Sequence, residues 1–170
     1  MELLIPGLIL VALMVYVSTR IKKSAARAFD TEEFENDEFS LVKPEGFLHK
    51  INDVDFAFVA YSKEFAPEPA DNFRAARAFV SVQNIGLKEF LAQEKATFSL
   101  FCSEDEFEID GSRAVLLSGE VIRNGHSFEI FSKIIEKRDR TVVLKIEVIK
   151  ELISDFRRKT DEMLTSFTAK

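Results

Sequence analysis

Apolar and polar positions alternate most clearly in the second half of the chain. Residues 113–123 (RAVLLSGEVIR), 127–136 (SFEIFSKIIE) and 141–149 (TVVLKIEVI) each show the two-residue period of a strand that buries one face. Asn124-Gly125 separates the first two segments, and this pair is a strong hairpin signal because both positions tolerate positive φ. The pattern predicts a three-stranded antiparallel meander.

Three shorter strands are predicted before the meander. They occupy residues 46–52 (GFLHKIN), 56–63 (FAFVAYSK) and 76–83 (ARAFVSVQ). A proline-containing loop, APEPADNFR, separates the second from the third. The first half of the domain is therefore also expected to be rich in β-structure.

Two helices are predicted from apolar positions with helical spacing. Residues 87–101 follow a break at Asn84-Ile85-Gly86, although Glu94 and Lys95 interrupt their apolar stripe. Residues 152–167 have an apolar side and a strongly charged side. Together the elements predict an α+β fold in which helices pack an antiparallel β-sheet as a sandwich.

The first residues of the chain follow neither period. Leu3 to Thr19 carry no charge, and as a helix these seventeen residues would span about 26 Å, the short end of what a bilayer core of about 30 Å requires. We interpret this segment as a retained transmembrane helix. The apolar positions expected to contact lipid are Leu3, Ile5, Leu8, Leu10, Leu13, Val15 and Val17.

The order of charges separates this interpretation from a cleaved signal peptide, which would place basic residues before the apolar run. Here they all follow it, as Arg20, Lys22, Lys23 and Arg27. A buried helix of a globular domain is the other alternative, but it would show a polar face. Because basic flanks stay inside, we expect a single-pass protein of a bacterial inner membrane with its soluble domain facing the cytoplasm; the outward orientation is the alternative.

An acidic segment joins the apolar segment to the domain. Six acidic residues lie within residues 30–38, and Phe29, Phe34 and Phe39 recur at a spacing that fits neither a helix face nor a strand face. We interpret this segment as a solvated linker. A docking motif in which Phe34 and Phe39 contact a partner is the alternative. The predicted organisation is an anchor with a basic collar (1–23), an acidic linker (24–43) and a soluble α+β domain (44–170).

The order of these parts resembles the PsbP-like superfamily, which also includes DcrB-like lipoproteins and a Ran-binding branch. The resemblance rests on Pro44-Glu45-Gly46-Phe47, on the strand–helix stretch ARAFVSVQNIGLKEFL, on Asp110-Gly111-Ser112-Arg113-Ala114, on the meander, and on a final helix that closes on Ser166-Phe167. It implies a PsbP-like α/β/α sandwich over roughly residues 44–168, and a non-enzymatic domain that docks on larger assemblies.

Composition and motifs indicate little catalytic chemistry. The net charge of −6 argues against a nucleic-acid-binding protein. The single cysteine, Cys102, is expected to be a small buried side chain near a helix end. His49 and His126 lack metal-ligand spacing, and the chain has no nucleophile elbow or phosphate-binding loop. We therefore expect no catalytic, cofactor or metal site.

The resulting hypothesis is a membrane-anchored interaction module, an accessory subunit of a larger membrane protein complex. Its partners would be the lipid bilayer and that complex. Arg157 and Arg158 are further candidate contacts, with a partner or with anionic headgroups. A small-molecule or lipid-binding domain is the alternative, because the chain contains seventeen phenylalanines and no tryptophan. A hydrolase that assembles its site around His49 and His126 is a third hypothesis.

Overall fold

The computed structural model describes residues 4–66, 73–138 and 140–170. The helices within these ranges are α1 (Leu4–Arg27), α2 (Leu87–Lys95) and α3 (Ile153–Ser166), and a short 3-10 helix (Lys150–Leu152) precedes α3. The strands are β1 (Glu32–Glu35), β2 (Phe39–Lys43), β3 (Phe47–His49), β4 (Phe58–Ser62), β5 (Ala76–Gln83), β6 (Leu100–Ile109), β7 (Ser112–Arg123), β8 (His126–Lys137), β9 (Arg140–Ile149) and β10 (Thr168–Ala169).

A seven-stranded antiparallel sheet forms the centre of the fold, with the strand order β3-β4-β5-β9-β8-β7-β6. The predicted meander is confirmed as β7, β8 and β9. Its first turn places Asn124 at φ 51° and Gly125 at φ 80°, the conformation that this residue pair favours. The α+β class predicted from the sequence is confirmed.

One face of the large sheet packs against α3 and a second sheet. Alternate residues of β9, from Val142 to Val148, face this side and contact Phe156 and Met163 of α3. The second sheet has the order β1-β2-β10. Burying each large apolar side chain of this layer contributes about 1.5–3 kcal/mol, so the layer is a main source of stability.

The opposite face carries α2. Leu87 of this helix packs on Leu117, Ile134 and Val143 of the sheet. Beside this apolar cluster, Glu94 of α2 pairs with Lys145 of β9 at 2.5 Å and accepts a hydrogen bond from Ser132 at 2.8 Å. The buried carboxylate is thus paired, as burial of a charge requires.

The helix predicted over residues 87–101 ends at Lys95, and residues 100–109 form the edge strand β6 instead. The helix ends where Glu94 and Lys95 interrupt the apolar stripe, and β6 pairs with β7 along almost its whole length. Cys102 lies at a register shift in β6 and is exposed, so the prediction of a buried thiol near a helix end is wrong.

Most of the segment predicted to be a solvated linker is folded. Residues 32–43 form β1 and β2, which pair with each other, and β2 also pairs with β10. Phe39 and Leu41 point into the core with 0% and 2% exposure. The acidic residues of β1 lie at the outer edge of this small sheet, where Glu35 pairs with Lys170 at 2.6 Å.

Helix α1 contains the residues predicted to contact lipid and to set orientation. Leu3 lies outside the described residues, as do the side chains of Ile5, Leu8 and Lys23. The remaining predicted residues are all exposed: Leu10, Leu13, Val15, Val17, Arg20, Lys22 and Arg27. Among the residues that the structure describes, none of the helices combines the length and the apolarity that crossing a membrane requires.

Candidate functional site

A cleft of about 180 Å³ opens on the face of the large sheet that carries α2. We call it the arginine cleft. It is lined by three arginines, one acidic residue and three aromatic residues: Arg74, Arg77, Arg123, Glu147, Tyr61, Phe73 and Phe128. The described lining thus carries three positive charges and one negative charge, in a chain whose net charge is −6.

Strand register brings these residues together. Arg77 on β5 lies directly opposite Glu147 on β9 and opposite Tyr61 on β4. Lys145, two residues before Glu147, pairs with Glu94 of α2, so Glu147 faces the same side of the sheet as that helix. The lining also includes Phe128 of β8 and Arg123 of β7, so the cleft extends across five neighbouring strands of the large sheet.

The guanidinium group of Arg77 rests among aromatic rings. Its central carbon lies 4.6 Å from the ring centroid of Phe79, 5.3 Å from that of Phe56 and 5.9 Å from that of Tyr61. Such contacts hold the guanidinium by cation–π attraction. Its Nε–H is buried and has no hydrogen-bond acceptor among the described residues.

The carboxylate of Glu147, the one acid in the described lining of the cleft, is already paired. Arg123 donates from Nη1 to both oxygens of Glu147 at 3.0 Å. Arg74 donates to the backbone carbonyls of Lys63 at 3.1 Å and Ser62 at 3.4 Å. The arrangement offers positive charge and apolar walls, which can bind an anion, and among the described residues its lining includes no serine, cysteine or histidine.

The two phenylalanines predicted to contact a partner lie inside the domain. Phe39 is fully buried in β2, and Phe34 of β1 stacks on it at 5.5 Å between ring centroids. Phe34 also packs against Phe58 at 5.1 Å. Because β1 and β2 fold onto the large sheet, Phe39 belongs to the core and Phe34 packs against it half-buried. Contact of Phe34 with a partner stays a prediction.

The two predicted arginines of α3 lie on the protein surface. Arg157 is exposed, with its Nε 3.6 Å from the carboxylate of Asp161. Arg158 lines a second, more polar cleft of about 630 Å³ together with Lys63 and Lys159. The residues that follow α1, from Phe29 to Thr31, form part of the same cleft. Contact of these arginines with a partner or with lipid stays a prediction.

A buried lysine joins the chain leaving α1 to the domain. Lys43 is 1% exposed and donates from Nζ to the carbonyl oxygens of Asp30 at 2.5 Å and Phe47 at 2.9 Å. Burial lowers the pKa of Lys43, an effect that the nearby carboxylates of Glu32 and Asp30 partly oppose. In addition, the Gly46 amide donates to the carbonyl of Phe29 at 2.7 Å. We call these contacts the Lys43 junction.

The two histidines do not form a common site. His49 lies on β3 between the rings of Phe34 and Phe58, with its Nδ1 3.5 Å from Glu32. His126 begins β8, and its ring centroid is 6.3 Å from that of Phe73. Over the described parts of the chain, no group of three or more His, Cys, Asp or Glu side chains is placed to hold a metal ion.

No protein-family model and no curated protein matches the sequence. Solved structures do match. Cyanobacterial PsbP from Synechocystis has a TM-score of 0.57 and 11% identity, over 84% of this chain and 94% of that chain. The chain has the PsbP-like fold. LpqN of Mycobacterium tuberculosis, described as involved in cell envelope biogenesis, has a TM-score of 0.57 and 14% identity, over 85% of this chain and 94% of that chain.

The yeast Ran-binding protein Mog1p also has this PsbP-like fold, with a TM-score of 0.51 and 19% identity over 82% of this chain and 95% of that chain. The resemblance predicted from the sequence is thereby confirmed for the fold. At such identities the likeness concerns backbone architecture alone. The contents of the arginine cleft and of the Lys43 junction are therefore interpreted from this chain's own residues.

Proposed function

We propose that this protein is a membrane-anchored, non-enzymatic interaction module, in which the PsbP-like domain serves as an accessory part of a larger membrane protein complex. The observation that carries the proposal is the surface of α1. Its large apolar side chains between Ile9 and Ile21 are each 45–64% exposed. An apolar medium around α1 would remove these side chains from water, and this supports the proposal.

Lipid is the medium that the flanking charges favour. Arg20, Lys22, Lys23 and Arg27 all follow the apolar run, and basic residues concentrate on the cytoplasmic side of membrane helices. The proposed orientation therefore places the PsbP-like domain in the cytoplasm, and the outward orientation is the alternative. The Lys43 junction supports a close attachment, because the backbone that leaves α1 is held directly by β2 and β3.

Strand β6 supports the interaction role. It is the outermost strand of the large sheet, and nine of its ten residues are exposed. Natural proteins usually protect such an edge, because its backbone groups can pair with another chain. Its exposed residues include four acids: Glu104, Asp105, Glu106 and Glu108. We propose that an extended basic segment of the partner adds to this edge as a further strand.

The anchor is tested by placing a charge in α1. An arginine at the centre of a membrane helix costs about 2.5–3.5 kcal/mol on insertion scales, so Leu13→Arg should shift the full-length protein from the membrane fraction to the soluble fraction. Ile51→Arg is the matched control, because Ile51 is exposed in a turn of the domain. Equal resistance of wild type and Leu13→Arg to carbonate extraction would refute the anchor.

The partner is tested by purification from gently solubilised membranes. Wild type should co-purify with a membrane protein complex in stoichiometric amounts, and the double variant Glu106→Lys/Glu108→Lys should not. The double variant Glu33→Lys/Asp37→Lys is the control, because it makes the same charge change at two exposed positions outside β6. Recovery of the wild-type protein alone would contradict the interaction role, whereas a complex retained by the double variant would contradict the use of β6.

Binding of a small molecule is the second candidate function. The arginine cleft favours it, since apolar walls with a few convergent polar groups are typical of ligand sites.

A further inference from the structure

We propose that the arginine cleft binds a small organic anion, in which a carboxylate or phosphate group is attached to a single planar apolar ring. The proposal develops the second candidate function and does not depend on the membrane anchor. It rests on three features of the cleft: a buried guanidinium donor that has no acceptor among the described residues, a pair of aromatic walls, and a matching volume.

The positive charge of Arg77 is the first feature. The two buried lysines of the described chain, Lys43 and Lys133, both have acceptors: Lys133 donates to the carbonyls of Leu164 at 2.6 Å and Phe167 at 2.8 Å. Arg77 differs, because its Nε is the buried side-chain nitrogen that lacks an acceptor in the described chain. Glu147, which lies opposite in the sheet, is taken up by Arg123. Buried polar groups of native proteins almost always have partners, so an external anion would complete this arrangement.

The position of Arg77 also suits recognition of an oxyanion. Phe79, Phe56 and Tyr61 hold its guanidinium, so less side-chain freedom is lost when a ligand binds. Guanidinium groups donate in a planar fork that matches carboxylate and phosphate oxygens. Arg74 adds a second cation to the lining of the cleft.

The aromatic walls and the volume define the rest of the ligand. Phe73 and Phe128 meet with ring centroids 6.2 Å apart at an angle of 61°, and both line the cleft. Aromatic rings pack well in such edge-to-face arrangements. A cavity of about 150 Å³ accommodates benzene, so the 180 Å³ here suits one ring that bears a small oxyanion group.

The test uses the full-length protein in detergent micelles, with benzoate and phenyl phosphate as probes and inorganic phosphate as the comparison. Nuclear magnetic resonance of arginine Nε–H groups reports directly on the orphan donor. We expect both aromatic probes to shift the Arg77 Nε–H signal and the ring signals of Phe73 and Phe128. We also expect Arg77→Gln to weaken binding roughly 10- to 100-fold, the usual loss for a hydrogen bond to a charged group.

Arg113→Gln is the matched control, because Arg113 is an exposed arginine of the same sheet that does not line the cleft. It should leave the affinity unchanged. If Arg77→Gln does not fold, the shifts of the wild-type Arg77, Phe73 and Phe128 signals on addition of the probes test the proposal without the variant. Unmoved Arg77, Phe73 and Phe128 signals at about 10 mM of either aromatic probe, which would saturate a site with a Kd near 1 mM, would overturn the proposal. Equal affinity for inorganic phosphate and phenyl phosphate would overturn it as well, because the ring would then contribute nothing.

Discussion

Replacing Lys43 with methionine should destabilise the domain and loosen its attachment to α1. The lysine makes two short hydrogen bonds, to the carbonyls of Asp30 and Phe47. Hydrogen bonds to charged groups contribute about 1.5–3 kcal/mol each. Part of this loss is offset, because burial lowers the pKa of Lys43 and methionine removes that desolvation cost. We expect a net destabilisation of about 2–4 kcal/mol, since both carbonyls are left without their donor.

Thermal unfolding followed by circular dichroism measures this loss. For a protein of this size each kcal/mol lowers Tm by about 2–4 °C, so Lys43→Met should melt roughly 4–16 °C below wild type. Hydrogen exchange at the Gly46 amide, which donates to Phe29, should accelerate in parallel. Lys88→Met on the exposed side of α2 is the control. If Lys43→Met melts with the control and the Gly46 amide stays protected, the reasoning about the junction is refuted.

Two further changes test the core. A Cβ at Gly119 would lie 2.5 Å from Phe98 Cδ1 and 2.8 Å from the Leu100 carbonyl, so Gly119→Ala should lower the free energy of unfolding in urea by about 1–3 kcal/mol. Gly86→Ala is the control, because Gly86 has open space around it, and it should cost at most about 1 kcal/mol. Equal unfolding midpoints of the two variants would contradict this prediction. Burial lowers the pKa of Lys133, so the unfolded chain binds that proton more tightly than the folded protein. Stability from this group is present above the unfolded pKa near 10.4 and is lost as pH falls through the folded pKa. The urea unfolding midpoint of wild type should therefore rise as the pH approaches the unfolded pKa, and this rise should be smaller in Lys133→Met. An equal pH dependence of the midpoint in both proteins would contradict this prediction.

Much of the large sheet can be predicted from sequence because its signals are local. Residues 76–83 show clean alternation and form β5 with the same bounds. The Asn124-Gly125 turn fixes β7 against β8 without reference to the rest of the chain. The apolar stripe predicted for the C-terminal helix includes Phe156 and Met163, and both are buried in the structure.

The small sheet and the edge strand could not be predicted in the same way. In β2 the inward positions are Phe39, Leu41 and Lys43. A lysine at an inward position breaks the apolar alternation that marks a strand, and it can be buried here because carbonyls of other segments accept its hydrogen bonds. Strand β6 is exposed on both faces, so its sequence lacks the apolar period that marks a strand.

The arginine cleft was missed for a related reason. Alternation along ARAFV places Arg77 on the face opposite to Ala76 and Ala78, and this much is readable from the sequence. Pairing between strands distant in sequence places Glu147 opposite Arg77 and lets Arg123 form a salt bridge with Glu147, and this pairing is not visible in the sequence. A charged residue inside an apolar strand is the one signal that could have drawn attention to the position.

The small sheet also has a consequence for how quickly the protein reaches its native state. Ser40 of β2 and Thr168 of β10 hydrogen-bond at 2.9 Å although 128 residues separate them. Closing so long a loop is entropically costly, and folds dominated by such distant pairings reach the native state in milliseconds to seconds. The β7–β8 hairpin should therefore form early in refolding. The β2–β10 pair should dock last, and it should be the first pair to open when the native protein fluctuates.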